Sequence, residues 1–300
     1  MKSRVLRWVA TTFRFRRMAP PSQFLLVVSL TFVLSSVSAS AAPLVYVVTA
    51  SQQFGTVDLA NGQFQPIGNG TPDGLANLVW WHGSLLSLAT TGTDAGDLVK
   101  INPATGEESI IGQTGLGFNA FDLAKVRGKL YLTDFSNNLY SVDPESGVAT
   151  PLSSTGMPPD PNIPFTFNSD GTFNLCDEGL YGIAGKLYAI FDSYAIDPTQ
   201  TPPTRAHEYI SPRVYEVDPF TGATRIVANT DWQLSAMVEA NGRAYAFRAV
   251  IDGFDFDFNF PIVHAEVVTM NLKTGQTNKV ATIDRNLGLG PIFGAAPVRR

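Results

Sequence analysis

Short apolar segments alternate with polar turns along most of the chain, and one arrangement returns five times. Each copy has an apolar strand, an Asp or Asn, a turn with Gly, and a second strand. The copies read FGTVDLANGQFQPI, LVKINPATGEESII, LYSVDPESGVATPL, VYEVDPFTGATRIV and VVTMNLKTGQTNKV. Repetition of one β unit predicts a closed or stacked array of strands.

A second phrase precedes four of these copies: GSLLSLA, GKLYLTD, GKLYAIF and GRAYAFR. Another apolar stretch lies before each of them, so every repeat holds four strands joined by tight Gly turns and by TG or SG turns. Four antiparallel strands per repeat predict the blade of a β-propeller. A solenoid is the alternative, but a solenoid needs capping repeats at both ends.

The two ends of the chain complete one blade. GPIFGAAPVRR aligns with EGLYGIAGKLY, with Pro297 at the turn position of Gly185, and APLVYVVTA aligns with AGKLYAIF, with Pro43 at that position. The C-terminal strand is therefore expected to be the innermost strand of the first blade, which removes exposed sheet edges. We predict an all-β, five-bladed β-propeller whose first blade is closed by the C-terminal strand, forming a single domain over residues 42–300.

The N-terminal segment is typical of an export signal. Residues 1–23 carry six basic and no acidic side chains, residues 24–37 are largely apolar, and Ala39-Ser40-Ala41 fits an A-x-A cleavage site. This predicts a Sec-type signal peptide over residues 1–41 and a secreted or periplasmic protein. A transmembrane anchor is the alternative, but the apolar run is shorter than the roughly 20 residues that a spanning helix needs.

Charge and residue usage narrow the choice of partners. Without residues 1–41 the chain has 15 basic and 26 acidic residues, a formal charge of −11, which disfavours nucleic acid. The single cysteine, Cys176, excludes an internal disulfide. The three histidines are far apart in sequence, so no metal site is predicted. No cofactor is predicted either; calcium is an alternative, although no motif indicates it. We expect a monomer without a membrane segment after cleavage.

Three insertions break the repeat on one side of the predicted ring. They cover residues 156–175, 193–212 and 252–261, in connections between blades or between the second and third strands. In an up-and-down blade these connections share one face, called here the insert face; the tight Gly turns share the opposite, tight-turn face. Loops clustered on a rigid scaffold are typical of a functional site.

Polar residues at the inner strands and adjoining loops of the insert face are the candidate site residues. Asp177 and Glu178 are the candidate catalytic pair, since converging carboxylates can act as acid and base or bind a hard cation. The alternative is that such side chains serve local turns. The candidate ligand-binding residues are Asp73, Asn119, Asp122, Asp134, Asp192 and Gln233.

Two other patterns are given a binding or a structural interpretation. In DGFDFDFNF, at residues 252–260, Phe alternates with Asp, which predicts a strand with one apolar and one acidic face, and its rings offer stacking area to a carbohydrate or protein. The Asp or Asn of each VDPxTG-like phrase recurs in every blade, which indicates turn formation.

The LYxVDPxTGxxT repeat resembles that of secreted bacterial β-propeller proteins related to quinoprotein-like and lactonase-like repeat families, mostly of unknown function. This resemblance covers nearly all of residues 44–297 and implies blade architecture. NLCDEGLYGIAGKLYAIF is similar to a signature of plant-type glutaminyl cyclotransferases, which are also five-bladed; that similarity implies a catalytic position for Glu178. Five-bladed glycosidases share the predicted shape.

The leading hypothesis is a secreted binding or interaction module that takes an unknown protein or carbohydrate on its insert face. The alternative is an enzyme with carboxylates at the channel mouth, glutaminyl-cyclotransferase-like or glycosidase-like. A structural envelope protein without a small ligand is a third possibility.

Overall fold

The computed structural model describes residues 43–71, 74–157, 166–258 and 260–299 of the 300-residue chain. The predicted signal peptide and Asp73 lie outside these residues. The described strands form five four-stranded antiparallel sheets, which confirms the five-bladed propeller.

The strands of each blade run from the central channel outward. The first blade consists of β20 (Ile292–Pro297), β1 (Leu44–Thr49), β2 (Phe54–Asp58) and β3 (Phe64–Pro66). The second consists of β4 (Leu75–Trp81), β5 (Ser84–Ala89), β6 (Asp97–Ile101) and β7 (Glu108–Gln113). The third consists of β8 (Ala120–Val126), β9 (Lys129–Asp134), β10 (Asn138–Val142) and β11 (Ala149–Ser154).

The last two blades contain the longest strands. The fourth consists of β12 (Phe173–Ile183), β13 (Lys186–Asp197), β14 (Thr204–Val217) and β15 (Thr224–Asn229). The fifth consists of β16 (Leu234–Ala240), β17 (Arg243–Asp255), β18 (Phe260–Met270) and β19 (Thr277–Thr282). Two short 3₁₀ turns, Gly117–Asn119 and Arg285–Leu287, precede β8 and β20.

The tight Gly turns between the first two strands of a blade have the backbone that a two-residue hairpin requires. His82 and Gly83, for example, both have positive φ, at 42° and 87°. Positive φ at both central residues is the type I′ pattern, whose twist matches that of the flanking strands. The same pairing of positive φ values recurs at Arg127-Gly128, Ala184-Gly185 and Asn241-Gly242.

The recurring Asp or Asn of the repeat forms a turn in every blade, as predicted. The Asp58 carboxylate accepts a hydrogen bond from the backbone N–H of Ala60 at 2.8 Å, which is the Asx-turn geometry. The equivalent acceptors in the other blades are Asn102, Asp143, Asp218 and Asn271. These side chains are therefore occupied locally.

The C-terminal strand closes the first blade, as predicted, but with a different register. β20 pairs antiparallel with β1, and Val45 lies opposite Pro297. The equivalent pair in the fourth blade is Leu187 with Gly182, so Pro297 takes the place of Gly182 and the alignment of Pro297 with Gly185 is wrong by three residues. A close contact explains this register: a Cβ on Gly294 would overlap the backbone of Asn77, so glycine must stand there.

Five apolar clusters hold the blades side by side. Each cluster joins side chains of two successive blades, and together they connect all five neighbouring pairs of the ring, including the fifth with the first. Trp80 packs in the cluster between the first and second blades and stacks on Tyr46, with ring centroids 6.1 Å apart. The core is therefore a ring of interfaces around a narrow channel.

The close approach at Gly294 predicts the effect of one added methyl group. Gly294→Ala should lower the free energy of unfolding by about 1–3 kcal/mol, because a Cβ there overpacks β20 against β4. Urea unfolding followed by tryptophan fluorescence measures the change.

Gly253→Ala is the matched control. Gly253 also lies in a strand, but its added Cβ would meet Ile262 at an ordinary 3.5 Å. Equal stability of the two alanine variants would contradict the tight β20–β4 contact.

Candidate functional site

The insertions of the fourth and fifth blades are hairpins that extend beyond the body of each blade. The β13–β14 pairing continues out to Asp197 opposite Thr204, and the β17–β18 pairing continues to Asp255 opposite Phe260. A sixth apolar cluster lies between them, formed by Phe173, Leu175, Tyr194 and Ile196 with Trp232, Ile251 and Phe254. This second core gives the two hairpins a shared support above the ring.

A polar contact fastens the described part of the 156–175 insertion to the β13–β14 hairpin. The His207 Nε2 atom lies 2.8 Å from the Asp170 carboxylate. Hydrogen bonds from Thr172 and then from His207 lower the pKa of Asp170 to about 2. Residues 158–165 of this insertion lie outside the described residues.

The Phe-Asp alternation of residues 252–260 is only partly a strand. Phe254 packs on Phe173 with ring centroids 5.0 Å apart, as the predicted apolar face requires. The strand ends at Asp255, whose carboxylate accepts hydrogen bonds from the N–H groups of Asp257 and Phe258. The chain therefore turns, and Phe258 at the tip is 82% exposed.

Exposed large apolar side chains concentrate on the insert face. Of fifteen such side chains among the described residues, two lie on the tight-turn face and four on outermost strands. The nine on the insert face are Phe118, Phe135, Phe167, Tyr209, Phe256, Phe258, Ile262, Leu287 and Phe293. Extensive exposure of apolar side chains on one face is typical of an interaction surface.

Asp122 is a central structural residue, buried with 6% exposure. Burial raises the pKa of Asp122 to about 8, although hydrogen bonds from the Leu180 backbone and the Asn77 side chain act to lower it. Asn77 also donates from Nδ2 to the carbonyl of Leu180 at 2.7 Å. These contacts link the inner strands of the second, third and fourth blades.

Asp134 and Asn119 lie near each other on the third blade. The buried Asp134 carboxylate accepts hydrogen bonds from the backbone of Ser136 and Asn138 and from the Tyr140 hydroxyl at 2.9 Å. Asn119 is exposed, and its backbone carbonyl accepts a hydrogen bond from the backbone N–H of Phe135. Asp134 therefore shapes the loop in which Phe135 is presented.

The remaining candidates lie on the fourth and fifth blades. Asp177 is directly opposite Asp192 in the β12–β13 register, and Asp192 is fully buried, while Glu178 is half-buried. Gln233 lines a small cavity of about 70 Å³ at the insert-side end of the channel, together with Cys176. The candidate residues are therefore spread over the third, fourth and fifth blades.

An ionic network on the fifth blade was not anticipated from the sequence. Glu266 accepts hydrogen bonds from Arg248 and Lys279, and His264 Nδ1 lies 2.6 Å from the Asp252 carboxylate. Burial acts to raise the pKa of Glu266, but the hydrogen bonds and charges of Lys279 and Arg248 bring it below its ordinary value. The spacing of His264 and Glu266 on one strand face was the available signal.

The described residues contain no group of three or more His, Cys, Asp or Glu side chains arranged to hold a metal ion. Within the same part of the chain, no helix has the length and apolar character needed to cross a membrane.

Comparison with known proteins yields similarity of structure alone. No family model and no curated protein matches the sequence. A structural-genomics protein of unknown function from Bacteroides thetaiotaomicron aligns with 80% of this chain and 55% of its own, at 13% identity and a TM-score of 0.47. The extracellular domain of a putative one-component system from the same organism aligns with 79% of this chain and 26% of its own, at 10% identity and a TM-score of 0.37. This chain thus spans about half and a quarter of those two chains.

The raised pKa of Asp122 predicts a loss of stability with rising pH. The folded protein retains this proton up to about pH 8, whereas an unfolded Asp releases it near pH 4, so stability should fall between these values by up to about 1 kcal/mol per pH unit. Asp122→Asn should remove this contribution. Urea unfolding of both proteins at pH 5, 7 and 9 tests it.

The difference between the two proteins isolates Asp122 from other titrating groups. Asp122→Asn should gain stability relative to the original chain as pH rises. A difference that stays constant from pH 5 to pH 9 would contradict a protonated, buried Asp122.

Proposed function

We propose that this chain is an exported binding module that docks a protein partner on its insert face. The observation that carries this proposal is the concentration of exposed apolar side chains there, nine against two on the tight-turn face. Export itself is proposed from the basic, apolar and A-x-A pattern of residues 1–41.

The distribution of the rings favours a broad partner. Phe118 and Phe135 lie at the third blade, Phe256 and Phe258 at the tip of the fifth-blade hairpin, and Phe293 at the start of an inner strand. Rings spread over several blades suit a protein surface of standard size, about 800 Å² per partner, better than a single sugar. Aromatic side chains are also enriched among residues that dominate binding energy.

The supporting framework makes such a surface rigid. Phe254 and Phe167 pack on the buried ring of Phe173, and Arg205 lies 3.8 Å from the centre of the Trp232 ring. A preorganised surface loses less conformational entropy when it binds, which favours affinity.

Replacement of the two tip phenylalanines tests the docking face. Phe256→Ser combined with Phe258→Ser should weaken binding of the partner at least tenfold, because both rings are exposed, at 57% and 82%, and contribute little to the core. The partner is first isolated by cross-linking in culture medium of the source organism, and its affinity is then measured with purified proteins.

Phe220→Ser is the matched control, since Phe220 is 68% exposed but lies on the tight-turn face. A partner that binds the control and the double variant equally would contradict docking on the insert face. If sedimentation of the purified protein shows a dimer that the double variant loses, the partner is a second copy of this chain.

An enzyme at the insert-side end of the channel is the second candidate function, favoured by one observation. The β12–β13 register places Asp177 opposite Asp192, and Glu178 is the next residue of β12, opposite Phe191. On this hypothesis the chain should turn over an N-terminal glutaminyl peptide or an aryl glycoside, and Glu178→Gln should reduce kcat at least a hundredfold. Equal rates with Gln at position 178 would exclude a catalytic role for Glu178.

A further inference from the structure

A second cavity opens on the tight-turn face, away from the proposed docking surface. It has a volume of about 360 Å³ and lies on the axis of the ring, where all five inner strands contribute to its wall. Asn77 lies at its inner end, where its side chain donates a hydrogen bond to the carbonyl of Leu180. This volume is within the range of small-molecule sites, roughly 300–1,000 Å³.

One layer of equivalent residues forms the wall near the mouth. Each member pairs with the corresponding position of the second strand in its blade. The five members are Trp80, Lys125, Gly182, Glu239 and Pro297. The ring of backbone is nearly symmetric, but its chemistry is not, because this layer contains one cation and one anion.

Lys125 is held in place but is not neutralised. Its ammonium group donates to the carbonyl of Trp80 at 2.8 Å and lies 4.7 Å from the centre of the Trp81 ring. Among the described residues, no carboxylate forms an ion pair with it. Burial, and then the charge of Arg299, lower the pKa of Lys125, which means that both disfavour its charged form.

Arg299 and Glu239 complete the charge of the cavity. Arg299 lines the mouth and likewise has no carboxylate partner among the described residues. Glu239 accepts a hydrogen bond from the backbone N–H of Ala184 at 2.6 Å, which fixes its carboxylate to the neighbouring blade. Among the described lining residues, two cations and one anion leave a net charge of +1, in a chain that is acidic overall.

We propose that this cavity binds a small organic monocarboxylate. The carboxylate of the ligand pairs with Lys125 and Arg299, whose donors are then satisfied by charge-assisted hydrogen bonds. The apolar body of the ligand packs on the Trp80, Leu44 and Pro297 part of the wall. A single negative charge balances the cavity, whereas a phosphate dianion exceeds its net charge.

Isothermal titration of the full chain with benzoate, and with benzamide as its uncharged counterpart, tests the proposal. Benzoate should bind with one site per chain, and benzamide should bind at least tenfold more weakly. Lys125→Met retains the apolar stem and should weaken benzoate binding at least tenfold. Glu239→Gln retains a hydrogen-bond acceptor for the N–H of Ala184. This variant should bind benzoate more tightly, because a charge that repels the carboxylate is removed.

Lys100→Met is the control, since Lys100 is exposed on β6 and does not line the cavity. The opposite signs expected for Lys125→Met and Glu239→Gln distinguish electrostatic recognition from general damage to the fold. The proposal is overturned by any of three results: absence of benzoate binding, equal binding of benzamide, or tighter binding of inorganic phosphate. The protein-docking proposal is independent, because its test residues lie on the other face.

Discussion

The pairing of β20 with β1 is the contact on which the rest of the ring depends. Without it the first blade would lack its innermost strand, and the apolar interfaces between the first blade and its two neighbours would lose side chains such as Ile292 and Ala296. A single backbone hydrogen bond contributes only about 1 kcal/mol. Here a few such bonds also complete the ring of interfaces, so the closing strand has a larger effect than its length suggests.

Closure brings five strands to one axis and leaves little space there. Gly294 lies against the backbone of Asn77, and Gly182 lies where a Cβ would overlap the carbonyl of Lys125. Hydrogen bonds of Asn77 and Asp122 then join the second, third and fourth blades, and the bond from Asn77 to Leu180 connects blades that are not adjacent. Asn77 lies at the inner end of the tight-turn-face cavity, and the small cavity beside Gln233 is lined by a different set of residues.

The architecture could be predicted because each blade repeats the same local solution. The type I′ turns and the Asx turns each depend on two or three residues that are adjacent in the sequence, so the sequence alone identifies them. The register of β20 could not be obtained in this way. It is determined by a contact between Gly294 and Asn77, residues more than 200 positions apart that a comparison of repeats does not connect. The alternating pattern does not predict the turn at Phe258, because the Asp255 carboxylate accepts backbone hydrogen bonds there and ends the strand.

The candidate site was harder to predict for a related reason. Asp122 and Asp134 carry the expected carboxylates, but both are engaged by neighbouring donors. The repeat pattern does not indicate Lys125 and Glu239, because a different residue type stands at that position in every blade. A comparison of repeats detects only the residues that the blades share. It therefore does not indicate a charged residue that occurs in one blade alone.

The two strands that close the ring also contribute to the wall of the axial cavity. Pro43 and Leu44 line the axial cavity, and the Leu44 carbonyl accepts a hydrogen bond from the N–H of Val298 beside it. The first and the last described strands therefore meet at the wall of this cavity. The residues that complete the fold and the residues that would recognise a ligand overlap there, so a substitution in the closing pair would change ring stability and cavity chemistry together.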